Sequence, residues 1–254
     1  MSFWPMLKKE LKELVRSYKL LMVPLGFVIL GLMQPLTYKL LPMLENVSNL
    51  PAGSVLKIAM PPADWIVGST IGQYNQMGVL FLVLVAMGTI AGERATGVAA
   101  TVLTKPVGRG NYVAAKAVAY TLLAALSLLL GLVATAYYTH FLIAPVTWLT
   151  VLKGGLLYLP NLLLVVAVTL LCSSVMSSGV AAGGTALVAV ILLNTVPGFL
   201  GKSISSFSPG KLTAAANGLF QGQNLAIARP LTGVLALVVL ILLGSWFALE
   251  REEI

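Results

Sequence analysis

Six apolar runs, each about as long as a bilayer is thick, decide what this chain can fold into. They cover residues 20–41, 66–91, 117–138, 151–172, 179–200 and 231–249. A helix rises about 1.5 Å per residue, so roughly 20 apolar residues cross a hydrocarbon core of about 30 Å. Inside that core the backbone must satisfy its own hydrogen bonds, which leaves helices as the answer for runs of this length. Charge content points the same way. Only 9% of residues are charged, against about a quarter in a soluble domain, and the mean hydropathy is +0.95. The expected fold is all-α: one polytopic transmembrane domain over residues 1–254, with six membrane-spanning helices.

The segments between the runs have distinct characters. In residues 3–19, Trp4, Leu7, Leu11, Leu14 and Tyr18 recur at spacings of three and four, and Lys8, Lys9, Lys12 and Arg16 fill the remainder. This predicts an amphipathic elbow helix within residues 1–19, lying in the membrane interface with its lysine stems reaching toward headgroups. A solvated helical lead-in is the plainer alternative. No short apolar core followed by a small-residue cleavage site is present, so this stretch does not read as a removable signal. Pro24 and Pro35 predict a kink in the first run. The uninterrupted apolar part of the second run, 77–91, is too short to cross alone. Its helix must start earlier, which takes Gln73, Tyr74, Asn75 and Gln76 into or near the membrane. Residues 42–65, with Pro51, Gly53, Pro61 and Pro62, form a turn-rich outer loop. Residues 201–230 are mildly amphipathic: Leu212, Ala216, Leu219 and Phe220 share one helical face. Short outer helices that dip back toward the membrane are expected there.

Arginine and lysine bias sets the orientation. With the N-terminus inside, the inner segments hold Lys8, Lys9, Lys12, Arg16, Lys19, Arg94, Lys105, Arg109, Lys116 and Arg251. The outer ones hold Lys39, Lys57, Lys153, Lys202, Lys211 and Arg229. Both termini are then cytoplasmic, as an even number of spans requires. The net charge of +8 sits beside apolar spans, so anionic membrane lipid accounts for it and nucleic acid is not an expected partner.

Several chemistries lack their residues. The chain has one histidine, His140, and one aspartate, Asp64, both in or near outer loops. No H-E-x-x-H zinc site can be built, and no serine and histidine lie at matching depth for an intramembrane protease. No metal site is expected. Cys172 is the sole cysteine; it cannot form a disulfide within the chain and reads as a small hydrophobe. Every carboxylate (Glu10, Glu13, Glu45, Asp64, Glu93, Glu250, Glu252, Glu253) lies outside the span cores. Ion-coupled transporters usually carry such groups within their spans, so coupling through carboxylates is disfavoured, and energy for uphill movement must enter from outside the chain. Gly201, Lys202 and Ser203 imitate the end of a phosphate-binding loop, but the required upstream glycine is replaced by Val196. The chain is expected to have no catalytic residues and no ATP site of its own.

The basic segment 92–116, GERATGVAATVLTKPVGRGNYVAAK, stands between runs two and three. Residues 95–103 can form a short helix of small and apolar residues. Pro106 ends it through Lys105, because a residue before proline avoids helical geometry, and Gly108 and Gly110 permit a turn into the third run. Such a helix could seat in a groove of a partner; an ordinary positive-inside loop is the alternative. In order and placement, Glu93, Gly97, Leu103, Pro106, Arg109 and Lys116 resemble the corresponding segment of ABC-2-type transporter permeases, the transmembrane subunits of ABC exporters. The plan of elbow helix, six spans and a long outer segment before the last span is similar over nearly the whole chain.

The resemblance implies a coupling helix made by Glu93, Arg94, Gly97, Leu103, Pro106 and Arg109. It also implies a separate ABC ATPase subunit that holds ATP and magnesium, and a second permease, identical or homologous. The expected function is export of an amphiphilic cargo such as a peptide, lipid or drug; a non-transporting scaffold or signalling component paired with an ATPase is the alternative. Gln73, Asn75, Gln76 and Asn194 are candidates to line the path, as is Asn161; each amide could equally bond a neighbouring span. Gly179, Gly183 and Gly184 suit close helix packing, within the subunit in preference to across a dimer.

Overall fold

A computed structural model describes residues 3–45, 60–97, 108–223 and 225–251. The described residues form helices and short connections, with no strand. In chain order these are α1 (Phe3–Arg16), α2 (Lys19–Glu45), α3 (Ala63–Gln73), a π-helical turn (Tyr74–Gly78), α4 (Val79–Ala86), α5 (Ala91–Ala95), α6 (Arg109–Leu142), α7 (Trp148–Val175), α8 (Gly179–Thr195), α9 (Lys202–Ser205), α10 (Pro209–Phe220) and α11 (Ala228–Arg251). Six stretches are long and apolar enough to cross a membrane: Lys19–Leu41, Ala63–Ala95, Arg109–Leu142, Trp148–Val175, Gly179–Gly198 and Ala228–Glu250. The all-α, six-span expectation holds.

Small residues let the helices approach. Along α6, Ser127, Gly131, Thr135 and Thr139 recur every fourth position and are buried against α2. The three hydroxyls bond back to carbonyls one turn earlier, at 2.7–2.8 Å, so they bring no unpaired polarity into the contact. At its centre a Cβ on Gly31 would lie 2.7 Å from the Tyr74 hydroxyl and 2.8 Å from the Gly131 carbonyl. Tyr74 in turn donates to the Phe27 carbonyl at 3.0 Å. The π turn adds the residue that swings Tyr74 onto this crossing. π turns of this kind are often found at functional sites.

The second span breaks at Met87–Ile90 and resumes as α5. Ser173 of α7 repairs the break: its hydroxyl accepts from the Ile90 and Ala91 N–H groups (3.1 and 3.0 Å) and donates to the Met87 carbonyl (2.8 Å). Gly179 and Gly183 of α8 pack on the same break. A Cβ on Gly179 would lie 3.2 Å from Gly88 Cα, and one on Gly183 2.6 Å from Met87 Sδ. The glycine motif therefore packs within the subunit, as expected.

α7 is the most buried span and runs unbroken through Pro160. It packs against α6, α8, α10 and α11. The face of α10 read from sequence is correct: Leu212, Ala216 and Phe220 are buried and Leu219 is half-buried. Phe220 lies over Gly68 of α3 and Gly154 of α7, which seats α10 against two spans.

Three expectations need correction. The third span starts at Arg109, so residues 109–116 are helix and not connector; the charge of Lys116 is met inside the protein and does not end the helix. Of the two glycines expected at the turn into the third run, only Gly108 stands outside the helix. Gly108 precedes α6 at φ −59° and Gly110 lies within it, whereas Gly97 has φ +72°. Finally, α5 stops at Ala95 and the chain turns at Thr96–Gly97, so residues 96 and 97 are not helix. Most of the expected short helix 95–103, with Leu103, lies outside the described residues, as does Pro106.

The α2–α6 crossing yields a test. Gly31→Leu should destabilise the protein by about 1–3 kcal/mol through overpacking, read as earlier thermal unfolding in detergent. Gly184→Leu, where a Cβ meets nothing within 4 Å, should leave the midpoint nearly unchanged.

Candidate functional site: an ionic clamp at the face bearing both termini

Helix α1 is amphipathic, yet its buried face carries a carboxylate. Met6, Leu7, Glu10 and Leu14 are buried against α6 and α2. Trp4 and Tyr18, grouped with that face by periodicity, point outward at 73% and 69% exposure, where interfacial aromatics anchor well. Tyr18 adopts a left-handed backbone conformation (φ 58°), which turns the chain sharply from α1 into α2.

Glu10 meets Lys116. Lys116 is fully buried and its Nζ donates to both Glu10 oxygens at 3.1 Å. The same ammonium lies 3.1 Å from Glu93 Oε2 and 4.8 Å from the Tyr112 ring centroid. Glu93 also accepts from the Tyr112 hydroxyl and from Lys9 Nζ. Lys9 further pairs with Glu10 (3.1 Å) and Glu13 (3.3 Å). Three carboxylates thus bring oxygens within 4.8 Å of one another, and two ammonium groups supply the opposing charge. Burial alone would lower the pKa of Lys9, but the Glu93 hydrogen bond and the Glu10 and Glu93 charges prevail and raise it above the ordinary 10.5. The sign follows from linkage: the stabilisation is complete below that ordinary value and fades only as pH climbs through the raised one. Lys9 therefore stays charged throughout the neutral range.

Two further ties close this face. Arg94 Nη1 donates to the Ser174 carbonyl at the end of α7 (2.6 Å). Arg109 Nη1 donates to the carbonyls of Leu249 and Glu250 at the end of α11 (2.8 and 2.7 Å), where a cation also opposes the helix dipole. Among the six residues of the expected coupling segment, Glu93, Arg94 and Arg109 therefore point onto the protein itself. Gly97 supplies the turn that leads out of α5. Sequence reading treated Lys116 as a loop cation and missed Glu10, Tyr112 and Ser173. One signal was available: Glu10 falls three residues after Leu7 and four before Leu14, on the apolar face.

The amides in the membrane-spanning region separate into inward and outward groups. Asn161 is buried and donates to Asn75 Oδ1 (3.0 Å) and Thr213 Oγ1 (3.3 Å), joining the π turn to α7 and α10. Gln34 of α2 donates to Gln73 Oε1 at 3.0 Å and accepts from Ser69 at 3.0 Å. Gln76 is exposed and makes no hydrogen bond among the described residues. Asn194 donates within its own helix to the Val190 carbonyl (2.9 Å), while its Oδ1 is buried without a partner. The structure brings Asn75 and Asn161 together and sets Gln76 and Asn194 apart from them.

The fold and clamp define a multi-pass, all-α membrane protein whose amino-terminal amphipathic helix is fixed ionically to the ends of its second and third spans. Residues 4–247 match the family described as ABC-2 family transporter protein. The chain belongs to that family and is an ABC-2 transporter permease, a class of membrane subunit that in general works with an ABC ATPase. It is also 32% identical over 138 residues to the uncharacterized transmembrane protein YxlG of Bacillus subtilis (strain 168). That match covers 54% of each chain, so it spans about half the length of the relative.

Removing one member of a buried pair leaves the other charge without compensation. Lys116→Ala should therefore destabilise by about 3–5 kcal/mol, whereas Lys12→Ala, at an exposed position of α1, should stay within about 0.5 kcal/mol. Thermal unfolding of the two variants in one detergent checks this, and equal midpoints would remove the clamp's structural role.

Proposed function

We propose that this chain is the transmembrane subunit of an ATP-driven exporter, with both termini cytoplasmic and the ATP and magnesium held by a separate ABC ATPase. The observation that carries this reading is the clamp. Lys116, Glu10, Glu93, Lys9 and Tyr112 join α1, α5 and the first turns of α6, on either side of residues 98–107. Arg94 and Arg109 join the same region to the ends of α7 and α11. Force applied by an ATPase to the segment between Gly97 and Gly108 would be shared among these helices and would not be lost in a slack loop. In this reading Leu103 and Pro106 belong to the docking surface, while Glu93, Arg94 and Arg109 hold its base in place.

The outward glutamines support a second permease, identical or homologous, across the face of the π turn. Among the described residues, exposed Gln76 makes no hydrogen bond, and Gln73 Nε2 meets Met33 Sδ at 3.9 Å. An amide left unpaired in hydrocarbon costs on the order of several kcal/mol, so this face favours a polar counterpart or an aqueous path over lipid. Cargo would then pass between the two permeases beside Gln73 and Gln76. Apolar walls with few charges suit an amphiphilic molecule such as a peptide, lipid or drug. Asn75 and Asn161 set the walls of that path from within.

Purification with and without ATP tests the partnership: an ABC ATPase should accompany the chain in a nucleotide-dependent manner, and failure to associate with any ATPase would falsify the exporter reading. Glu93→Gln should reduce stimulation of the ATPase while membrane insertion persists. Gln76→Leu should leave ATPase association intact and weaken cargo-dependent stimulation. If cargo response is unchanged in Gln76→Leu, the path does not run along this face.

A further inference from the structure

A crevice of about 340 Å³ opens between the start of α6 and the end of α11, lined by Gly110, Val113, Ala114, Val239, Leu242, Leu243 and Trp246. All its lining residues are apolar. Gly110 leaves the Trp246 indole uncovered: a Cβ there would approach its ring no closer than 3.8 Å. The crevice is upright. On α11 its lining runs from Val239 to Trp246, about 10 Å along a helix, or about a third of a hydrocarbon core of about 30 Å. That length takes part of one acyl chain within one leaflet.

A cation stands at its mouth. Arg109 directly precedes Gly110 and uses only Nη1 to hold the α11 carbonyls. Among the described residues its remaining guanidinium N–H groups meet no acceptor, and a guanidinium fork is suited to a phosphate. Trp246 sits a little over one turn from the end of α11, at the level where indoles meet headgroups. We propose that this crevice is a binding site for an anionic phospholipid, with one acyl chain lying between α6 and α11 and the headgroup phosphate on Arg109. The lipid completes a contact that the protein alone leaves open, and it does so at the joint between the third and last spans. The proposal does not depend on the ATPase partnership.

Trp246 is itself the probe. In a chain carrying Trp4→Phe, Trp65→Phe and Trp148→Phe, Trp246 is the sole tryptophan. The protein is reconstituted into phosphatidylcholine vesicles in which a rising fraction is replaced by brominated phosphatidylglycerol or brominated phosphatidylcholine. Brominated phosphatidylglycerol should quench Trp246 at about fivefold lower mole fraction, the preference expected of one cation near a lipid surface. Arg109→Gln should abolish that preference. Because this change also frees the end of α11, Ala114→Phe serves as a second variant: it fills the crevice, keeps the Arg109 bonds and should reduce quenching by both lipids. Equal quenching by the two lipids in the parent overturns the headgroup assignment. Unaltered quenching in Ala114→Phe overturns the crevice as the chain's seat.

Discussion

The buried contact between Lys116 and two carboxylates fixes the arrangement of the whole face that bears the termini. An ammonium with no solvent exposure is tolerated only when its charge is met at close range. Here Glu10 meets it with both oxygens and Glu93 with one. That requirement explains why α1 is held against the bundle. It also explains why α6 runs on past its apolar run to Arg109: the helix can carry a lysine in its second turn because the elbow helix brings the counter-charge. Glu93 is the hub, since it receives Lys9 from α1 and Lys116 and Tyr112 from α6 while sitting on α5.

A different physics operates within the spans. There the hydrophobic effect provides little drive between helices, and close packing with internal hydrogen bonds takes over. The α2–α6 crossing uses Gly31 and Gly131 so that Tyr74 can reach the Phe27 carbonyl. The α4–α5 break is tolerated because Ser173 satisfies the freed groups from a neighbouring helix, as required where no water is available. α10 is held by Phe220 over two glycines and by the Asn161–Thr213 contact. The ionic clamp is thus confined to the end where headgroups and water soften the cost of charge, and the amide contacts to depths where only neutral groups are tolerable.

This division decides what was legible in the sequence. Length and apolarity of a run are local properties, so the six spans and the face of α10 could be read directly. Family resemblance rested on the ordered residues of segment 92–116, and the match over residues 4–247 agrees with it. The clamp was hidden because its central pair is separated by 106 positions, and a lysine beside an apolar run reads by default as a loop cation. Helix ends suffered likewise: the start of α6 depends on a partner for Lys116, not on local propensity. The break at Met87–Ile90 left no signal in its own residues, since its remedy is a serine 82–83 residues further on.

The placement of Glu93, Arg94 and Arg109 bears on how the proposed coupling segment would work. Had these residues pointed outward, charge would be the means of recognising a partner. Each instead ties the segment's flanks to a different helix: Glu93 to α1 and α6, Arg94 to the end of α7, Arg109 to the end of α11. Ordered charge at these positions then serves stiffness. A stiff base matters because a lever transmits displacement only if its mounting yields less than its load. In the proposed exporter, recognition of the ATPase would fall to the apolar stretch between Gly97 and Gly108 and to the exposed lysines of α1, while the family's ordered charges would keep that stretch from moving independently of the spans.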